Sequence, residues 1–275
     1  MVLRGNGSAN NSASCQCQGQ SDEPILEFCV VYAYVMKAFL LAAGNGTRLR
    51  PLTDSVPKCL LPVRGVPLLE IWLNNCKAAG ITDVLVNTHA HAETVRKFAA
   101  EQKTGVRIRI AEEPELLGSA GTLAKNREFA SGEEPFVVLY ADVLTNLNLR
   151  RMLDFHQQKR LPATLGIYQV PDPTRCGIVA MDENAVIQEF AEKPLQPVSN
   201  WAFAGVMIAG AELFNFIPDH RPADLGFDVL PKMIGKMAAY RSSEYLLDIG
   251  TIANYQNAQQ SWPGLAQLQP FTRGS

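Results

Sequence analysis

From residue 36 to residue 159, short apolar runs alternate with helix-length amphipathic stretches. No other feature of the sequence narrows the choice of fold so far. Runs at 37–42, 83–88, 107–111 and 136–140 are rich in Leu, Val, Ile and Phe and bounded by turn residues; helical stretches at 67–79, 91–102, 120–130 and 149–159 lie between and after them. A strand that returns through a helix rejoins its sheet in parallel, and such sheets bury both faces. Beyond 159 the pattern changes. Runs at 163–170, 178–182, 186–190 and 203–208 follow one another without long helices, so antiparallel additions to the same sheet are expected. Helices near 211–216 and 228–237, then a last strand and a closing helix at 251–262, complete the expectation. No Pro/Ser-rich linker divides 36–275, which predicts one α/β domain with a mixed, mostly parallel central sheet.

The amino end differs. Residues 1–24 are rich in Asn, Ser, Gly and Gln and hold few large apolar side chains, so they cannot bury enough to offset the entropy of ordering. The apolar run 25–43 is broken by Glu27 and Lys37 and has no basic segment before it, which argues against a membrane span or secretion signal. Met36 directly precedes the first strand, so residues 1–35 are expected to be a disordered tail or extension. Cys15-Gln16-Cys17 has no second Cys/His pair at metal spacing. The other cysteines are scattered singly, as suits reduced thiols in a cytoplasm, and a net charge of −2 without basic stripes gives no reason to expect nucleic acid.

Function is expected at the carboxyl ends of the first strands, where open α/β sheets bind ligands. The first such edge carries Leu41-Ala42-Ala43-Gly44-Asn45-Gly46-Thr47-Arg48-Leu49. Glycines let the main chain turn tightly, and successive N–H groups can nest an anion. A dinucleotide fingerprint would need glycine where Leu49 stands, and a Walker loop would need a terminal Gly-Lys-Ser/Thr that is missing. A phosphate-holding loop assisted by Arg48 and Lys58, or a plain turn, remain.

The stretch from Met36 through Arg50-Pro51-Leu52-Thr53, followed by Pro57-Lys58 and Leu61-Pro62-Val63, resembles the opening signature of the sugar-1-phosphate nucleotidyltransferases. Further landmarks follow in order. Leu117-Gly118-Ser119-Ala120-Gly121-Thr122 is similar to the base-recognition segment, and Ala141-Asp142 to the Gly-Asp that binds magnesium. Cys176-Gly177-Ile178-Val179 is similar to Tyr-Gly-Val-Val, Glu192-Lys193-Pro194 matches outright, and Leu247-Asp248-Ile249-Gly250-Thr251 resembles a second magnesium site.

The resemblance implies a three-layer Rossmann-like nucleotidyltransferase fold, with a nucleotide-binding half at 36–160 and a sugar-phosphate-binding half at 161–262. It implies transfer of a nucleotidyl group from an NTP to a sugar 1-phosphate with release of pyrophosphate. Arg48, Lys58 and Asp142 would be catalytic. Leu41, Ala42, Ala43, Gly44, Gly46, Thr47, Gly118 and Gly121 would bind nucleotide, and Gly177, Glu192 and Lys193 the sugar phosphate. Asp142 and Asp248 would hold Mg2+. These residue types suit the chemistry: Arg offers a planar fork to phosphate oxygens, Lys a compact charge, and magnesium takes one or two carboxylates plus substrate phosphates.

The pattern is nearest the guanylyltransferases that use mannose or heptose 1-phosphate, with uridylyl, thymidylyl or cytidylyl transfer as alternatives. A non-catalytic nucleotide-sugar-binding regulatory subunit is the alternative of another kind. A cytoplasmic monomer or homo-oligomer is expected, with no membrane partner. A glycosyltransferase would want Asp-x-Asp, and Asp142-Val143-Leu144 lacks the second acid. Four positions depart from the family: Ala141 for Gly, Cys176 for Tyr, Ala204 for Asn and Leu246 for Trp. Most of these make the acceptor side less polar or less bulky. His89-Ala90-His91, without a third ligand, is expected to face solvent.

Overall fold

A computed structural model describes residues 36–132 and 135–265; the expected tail and Cys15-Gln16-Cys17 lie outside them. The four apolar runs form a parallel core. β1 (Met36–Leu41) pairs with β4 (Ile81–Thr88) on one side and β6 (Phe136–Tyr140) on the other, and β5 (Arg107–Glu112) lies beyond β4. Successive β1 side chains point to opposite faces, and both faces are buried. Ala38 and Leu40 pack with Leu69, Trp72 and Cys76 of α1 (Leu68–Ala78). Phe39 points the other way, edge-on to Phe129 at 5.2 Å and to Phe136 at 5.5 Å between ring centroids. Helices on both faces make three layers. Two more helices, α2 (Ala92–Glu101) and α3 (Ser119–Lys125), fill the connections to β5 and β6. α4 (Leu149–Lys159) buries Leu149, Met152, Leu153 and His156, the i, i+3, i+4, i+7 stripe of a helix with one face inward.

The second half adds antiparallel strands. β11 (Trp201–Ala209) runs against both β6 and β8 (Ala163–Gln169), while β9 (Gly177–Met181) and β10 (Ile187–Glu192) form a hairpin beside it. β12 (Met237–Arg241) lies parallel to β8. Two small ladders stand off the main sheet: β2 (Pro62–Val63) with β3 (Val66–Pro67), and β7 (Val143–Thr145) with β13 (Leu246–Asp248). α5 (Ile252–Ser261) closes the chain, its first turn capped by the Thr251 hydroxyl on the Asn254 N–H.

Three expected helices differ. The stretch 120–130 breaks after Lys125 into a 3-10 turn, Arg127–Ala130, and Ala211–Phe216 is wholly 3-10. No α-helix spans 228–237. A π turn (Leu225–Val229) runs into a 3-10 turn (Leu230–Met233), and Met237 already begins β12. Pro231 has no N–H to continue an α-helix, and Asp228 spends its carboxylate on the Asp224 N–H at 2.7 Å.

Candidate active site

The strand order reverses about β1, the place where a doubly wound sheet opens a crevice. A cleft of about 410 Å³ lies there, at the carboxyl ends of β1, β4 and β6. Its wall takes in every residue from Leu41 to Arg48, four of them Ala or Gly. Gly46 takes φ +61°, and a Cβ on it would stand 2.9 Å from Thr53 Cγ2, whose hydroxyl donates to the Gly46 carbonyl at 2.8 Å. Thr53 thus holds the turn that ends in Arg48. Gly44 has open space where a Cβ would be, so a ligand can approach its backbone.

A buried polar network backs this loop. Asn87, at the end of β4, accepts from the Ala42 N–H at 2.6 Å and donates to Glu113 Oε1 at 3.0 Å and Thr122 Oγ1 at 2.9 Å. Glu113 is only 3% exposed; it accepts from Thr122 Oγ1 at 2.5 Å and from the Leu117 N–H at 3.3 Å. Asn87, Glu113, Thr122, Ser119 and Tyr140 all line the cleft; Ser119 and Thr122 belong to the segment similar to the base-recognition motif, whereas Asn87, Glu113 and Tyr140 stand in no motif. A polar residue ending a buried strand was the available signal for Asn87. Gly118 has φ +76°, and its Cβ would stand 2.2 Å from the Ala223 carbonyl oxygen, so only glycine lets these segments cross. Gly121 lies away from the cleft lining, packed beneath the Arg221 side chain.

The charged end of the cleft is assembled by the β7–β13 ladder. Asp142 precedes β7, Asp248 ends β13 opposite Val143, and the Ile249 N–H donates to the Asp142 carbonyl at 3.0 Å. Lys58, its side chain 12% exposed, sits 2.7 Å from Asp142 Oδ2. Its neighbour Cys59 packs into the core, where burial pushes the thiol up to about 12. Gly250 marks the convergence. A Cβ there would stand 2.7 Å from Asp248 Oδ1, 2.9 Å from Arg48 Nη2 and 3.3 Å from Lys58 Nζ. Two carboxylates with cations beside them form a sparse, hard oxygen set. Such a set suits magnesium when phosphate oxygens complete the shell. Among the described residues no group of three or more metal-capable side chains occurs. His89 Nδ1 instead lies 2.8 Å from the Glu113 carbonyl oxygen, and His91 is exposed.

Glu192 and Lys193 lie outside this lining, with Tyr140 between the two groups. Glu192 ends β10 opposite Gly177; a Cβ on Gly177 or on Gly226 would stand 2.6 Å from its Oε2. Burial raises the Glu192 carboxyl above its ordinary range, with Lys193 opposing and Asp224 adding to the rise. Lys193 takes φ +49°, donates its N–H to the Cys176 carbonyl at 2.9 Å and places Nζ 3.7 Å from Glu192 Oε1. Asp224 links the groups: Ser119 Oγ of the cleft donates to it at 2.9 Å, and it accepts from the N–H groups of Gly226 and Phe227. Burial, then the negative charge of Asp224, raises the Tyr140 hydroxyl, which stays a neutral donor. Arg48, Lys58, Asp142 and Asp248 therefore meet at one end of the cleft, while Gly177, Glu192 and Lys193 form a second cluster.

A sheet that switches order over a main-chain cradle, with cations and paired carboxylates at its mouth, defines an α/β nucleotide-binding protein. The nucleotidyl transferase family matches residues 37–263, and the chain belongs to that family, the sugar-1-phosphate nucleotidyltransferases. It is 33% identical over 241 residues to UTP–glucose-1-phosphate uridylyltransferase of Synechocystis, covering 81% of this chain and 62% of that one. To mannose-1-phosphate guanyltransferase beta-A of Xenopus laevis it is 35% identical over 221 residues, covering 78% and 61%. The chain thus spans about three-fifths of the length of these curated relatives. A crystal structure of UDP-glucose pyrophosphorylase complexed with UDP-glucose shares the fold, with a TM-score of 0.72 at 20% identity, covering 82% of this chain and 97% of that one.

Proposed function

We propose that the protein transfers a nucleotidyl group from an NTP to a sugar 1-phosphate, with GTP and a mannose- or heptose-like 1-phosphate as its substrates. The convergence of Arg48, Lys58, Asp142 and Asp248 about Gly250 carries this reading. An oxygen of the sugar phosphate attacks the α-phosphorus. The bond from that phosphorus to the bridging oxygen breaks, and pyrophosphate leaves with the electron pair. The nucleophile is already an anion, so no side chain has to remove a proton from it.

Positioning and charge neutralisation supply most of the rate in such a transfer. Main-chain N–H groups of the Ala43–Arg48 loop cradle the triphosphate, Arg48 forks onto its oxygens, and Lys58 moves from Asp142 to phosphate. Asp142 and Asp248 would hold a magnesium ion, which supplies positive charge at the α-phosphate when bound. Lys193 holds the acceptor phosphate, and Glu192 accepts a hydrogen bond from a sugar hydroxyl.

We place the enzyme in the cytoplasm, as a monomer or homo-oligomer acting on small molecules; no helix among the described residues is long and apolar enough to cross a membrane. Pyrophosphate release, measured over a panel of NTPs crossed with sugar 1-phosphates and magnesium, tests the reaction. GTP with mannose or heptose 1-phosphate should lead. Preference for UTP would overturn the choice of base, and silence from every pair would turn the reading toward a regulatory binding subunit.

A further inference from the structure

We propose that Phe227 is the platform on which the acceptor's sugar ring lies, and that the surrounding charges restrict the acceptor to neutral pyranose 1-phosphates. The inference rests on the placement of the sugar phosphate at Lys193. Phe227 is a large apolar side chain left 58% exposed beside the most polar cluster of the acceptor half. The Lys193 ammonium lies 5.7 Å from its ring centroid, and Glu192 presses against Gly226, the residue before it.

A sugar whose phosphate meets Lys193 hangs its ring from that phosphate through one oxygen, which brings it over Phe227. One face of a pyranose is largely C–H, and an aromatic ring offers that face a large, rigid apolar contact. The platform is held in place. The Phe227 N–H donates to Asp224 Oδ1 at 3.1 Å, and Asp224 is tied to Ser119 of the nucleotide cleft. Carboxylates lie at its neighbours in the chain: Glu192 against Gly226, Asp224 on the Phe227 N–H, and Asp228 next in sequence, itself partnered by the Asp224 N–H at 2.7 Å and by His220 Nε2 at 3.6 Å. Lys193 is the cation these observations place at the ring. With that charge spent on the phosphate, a second anionic group on the sugar would face carboxylates.

Titration calorimetry and saturation-transfer NMR on the full chain test this with mannose 1-phosphate, glucose 1-phosphate and glucuronic acid 1-phosphate. Saturation should pass most strongly to ring C–H protons. Phe227→Ser should weaken mannose 1-phosphate about tenfold, Phe227→Tyr should hold affinity within about twofold, and GTP affinity should not move. Glucuronic acid 1-phosphate should bind at least about tenfold more weakly than glucose 1-phosphate. Unchanged affinity in Phe227→Ser, equal affinity for the uronic acid, or no binding of either neutral sugar phosphate by the native chain would each overturn the proposal. Binding as expected with no pyrophosphate from any NTP would leave the platform standing and sink the transfer reaction instead.

Discussion

Around Ala43–Arg48 the chain offers a glycine-containing loop at the end of one strand, backed by a buried network through Asn87 and Glu113. Around Glu192 it offers side chains instead, drawn from the end of β10, the start of β9 and the turn that carries Asp224 and Phe227. On the proposed function, the difference reflects what each region has to recognise. A triphosphate is the same anion in every NTP, and a backbone cradle with fixed donors suits it. Sugars differ in hydroxyl configuration and charge, and side chains on irregular turns can change without disturbing the sheet.

The charged end of the cleft offers the largest test of that contrast, because on the proposed function it would serve both substrates. Asp142→Asn and Asp248→Asn should each lower turnover at least about a hundredfold while leaving the melting temperature and circular dichroism near native, since a divalent ion at the α-phosphate contributes several kcal/mol. Normal turnover in either variant at limiting magnesium would separate the two carboxylates. Gly250→Ala comes next. Its Cβ would displace Asp248 and Arg48 by contact with their side-chain ends, not with backbone, so kcat should fall by up to about a hundredfold with little loss of stability. Gly118→Ala is its counterpart on the cradle: there the Cβ meets the Ala223 backbone, and thermal unfolding should show the damage first.

Charge removal then separates the two sides. Arg48→Ala should raise KM chiefly for the nucleotide and Lys193→Ala chiefly for the sugar phosphate, each by about one to two decades, as for a lost charge-assisted contact of roughly 1.5–3 kcal/mol. An effect of Lys193→Ala on the nucleotide alone would erase the division. The smallest effect is on stability against pH. Burial favours the protonated Glu192 in the fold, so its contribution is complete below the ordinary carboxylate range and is lost as pH rises through the raised value. Glu192→Gln should therefore match the native melting temperature in acid and exceed it at neutral pH, while weakening the sugar phosphate.

Much of the first half was legible from the sequence. The run 136–140 and the helix 149–159 stand where the pattern puts them, because both read out a local periodicity that packing then rewards. The segment expected as a helix at 228–237 was not legible: its apolar spacing looks helical, but Pro231 and the carboxylates of Asp224 and Asp228 bind the main chain into other turns. The motifs pointed to Arg48, Lys58, Asp142 and Asp248, contained Gly250 without giving it a role, and passed over Asn87, Glu113 and Asp224. Asn87, Glu113 and Asp224 act through partners far away in the sequence, and Gly250 acts through the space it leaves.

The sequence alone determined the alternation that makes a parallel core, the glycine loop at its edge and the family to which both belong. Each depends on periodicity or backbone freedom within a few residues. Only the tertiary structure decided that the β7–β13 ladder sets Asp248 opposite Val143, the residue after Asp142, and that Gly118 and Gly121 meet backbone and Arg221 while Gly44 opens to the cleft. It alone left Phe227 exposed beside Lys193. Those relations come from strand pairing and from segments that cross in space, and no local pattern in the chain encodes a distance between residues that meet only after folding.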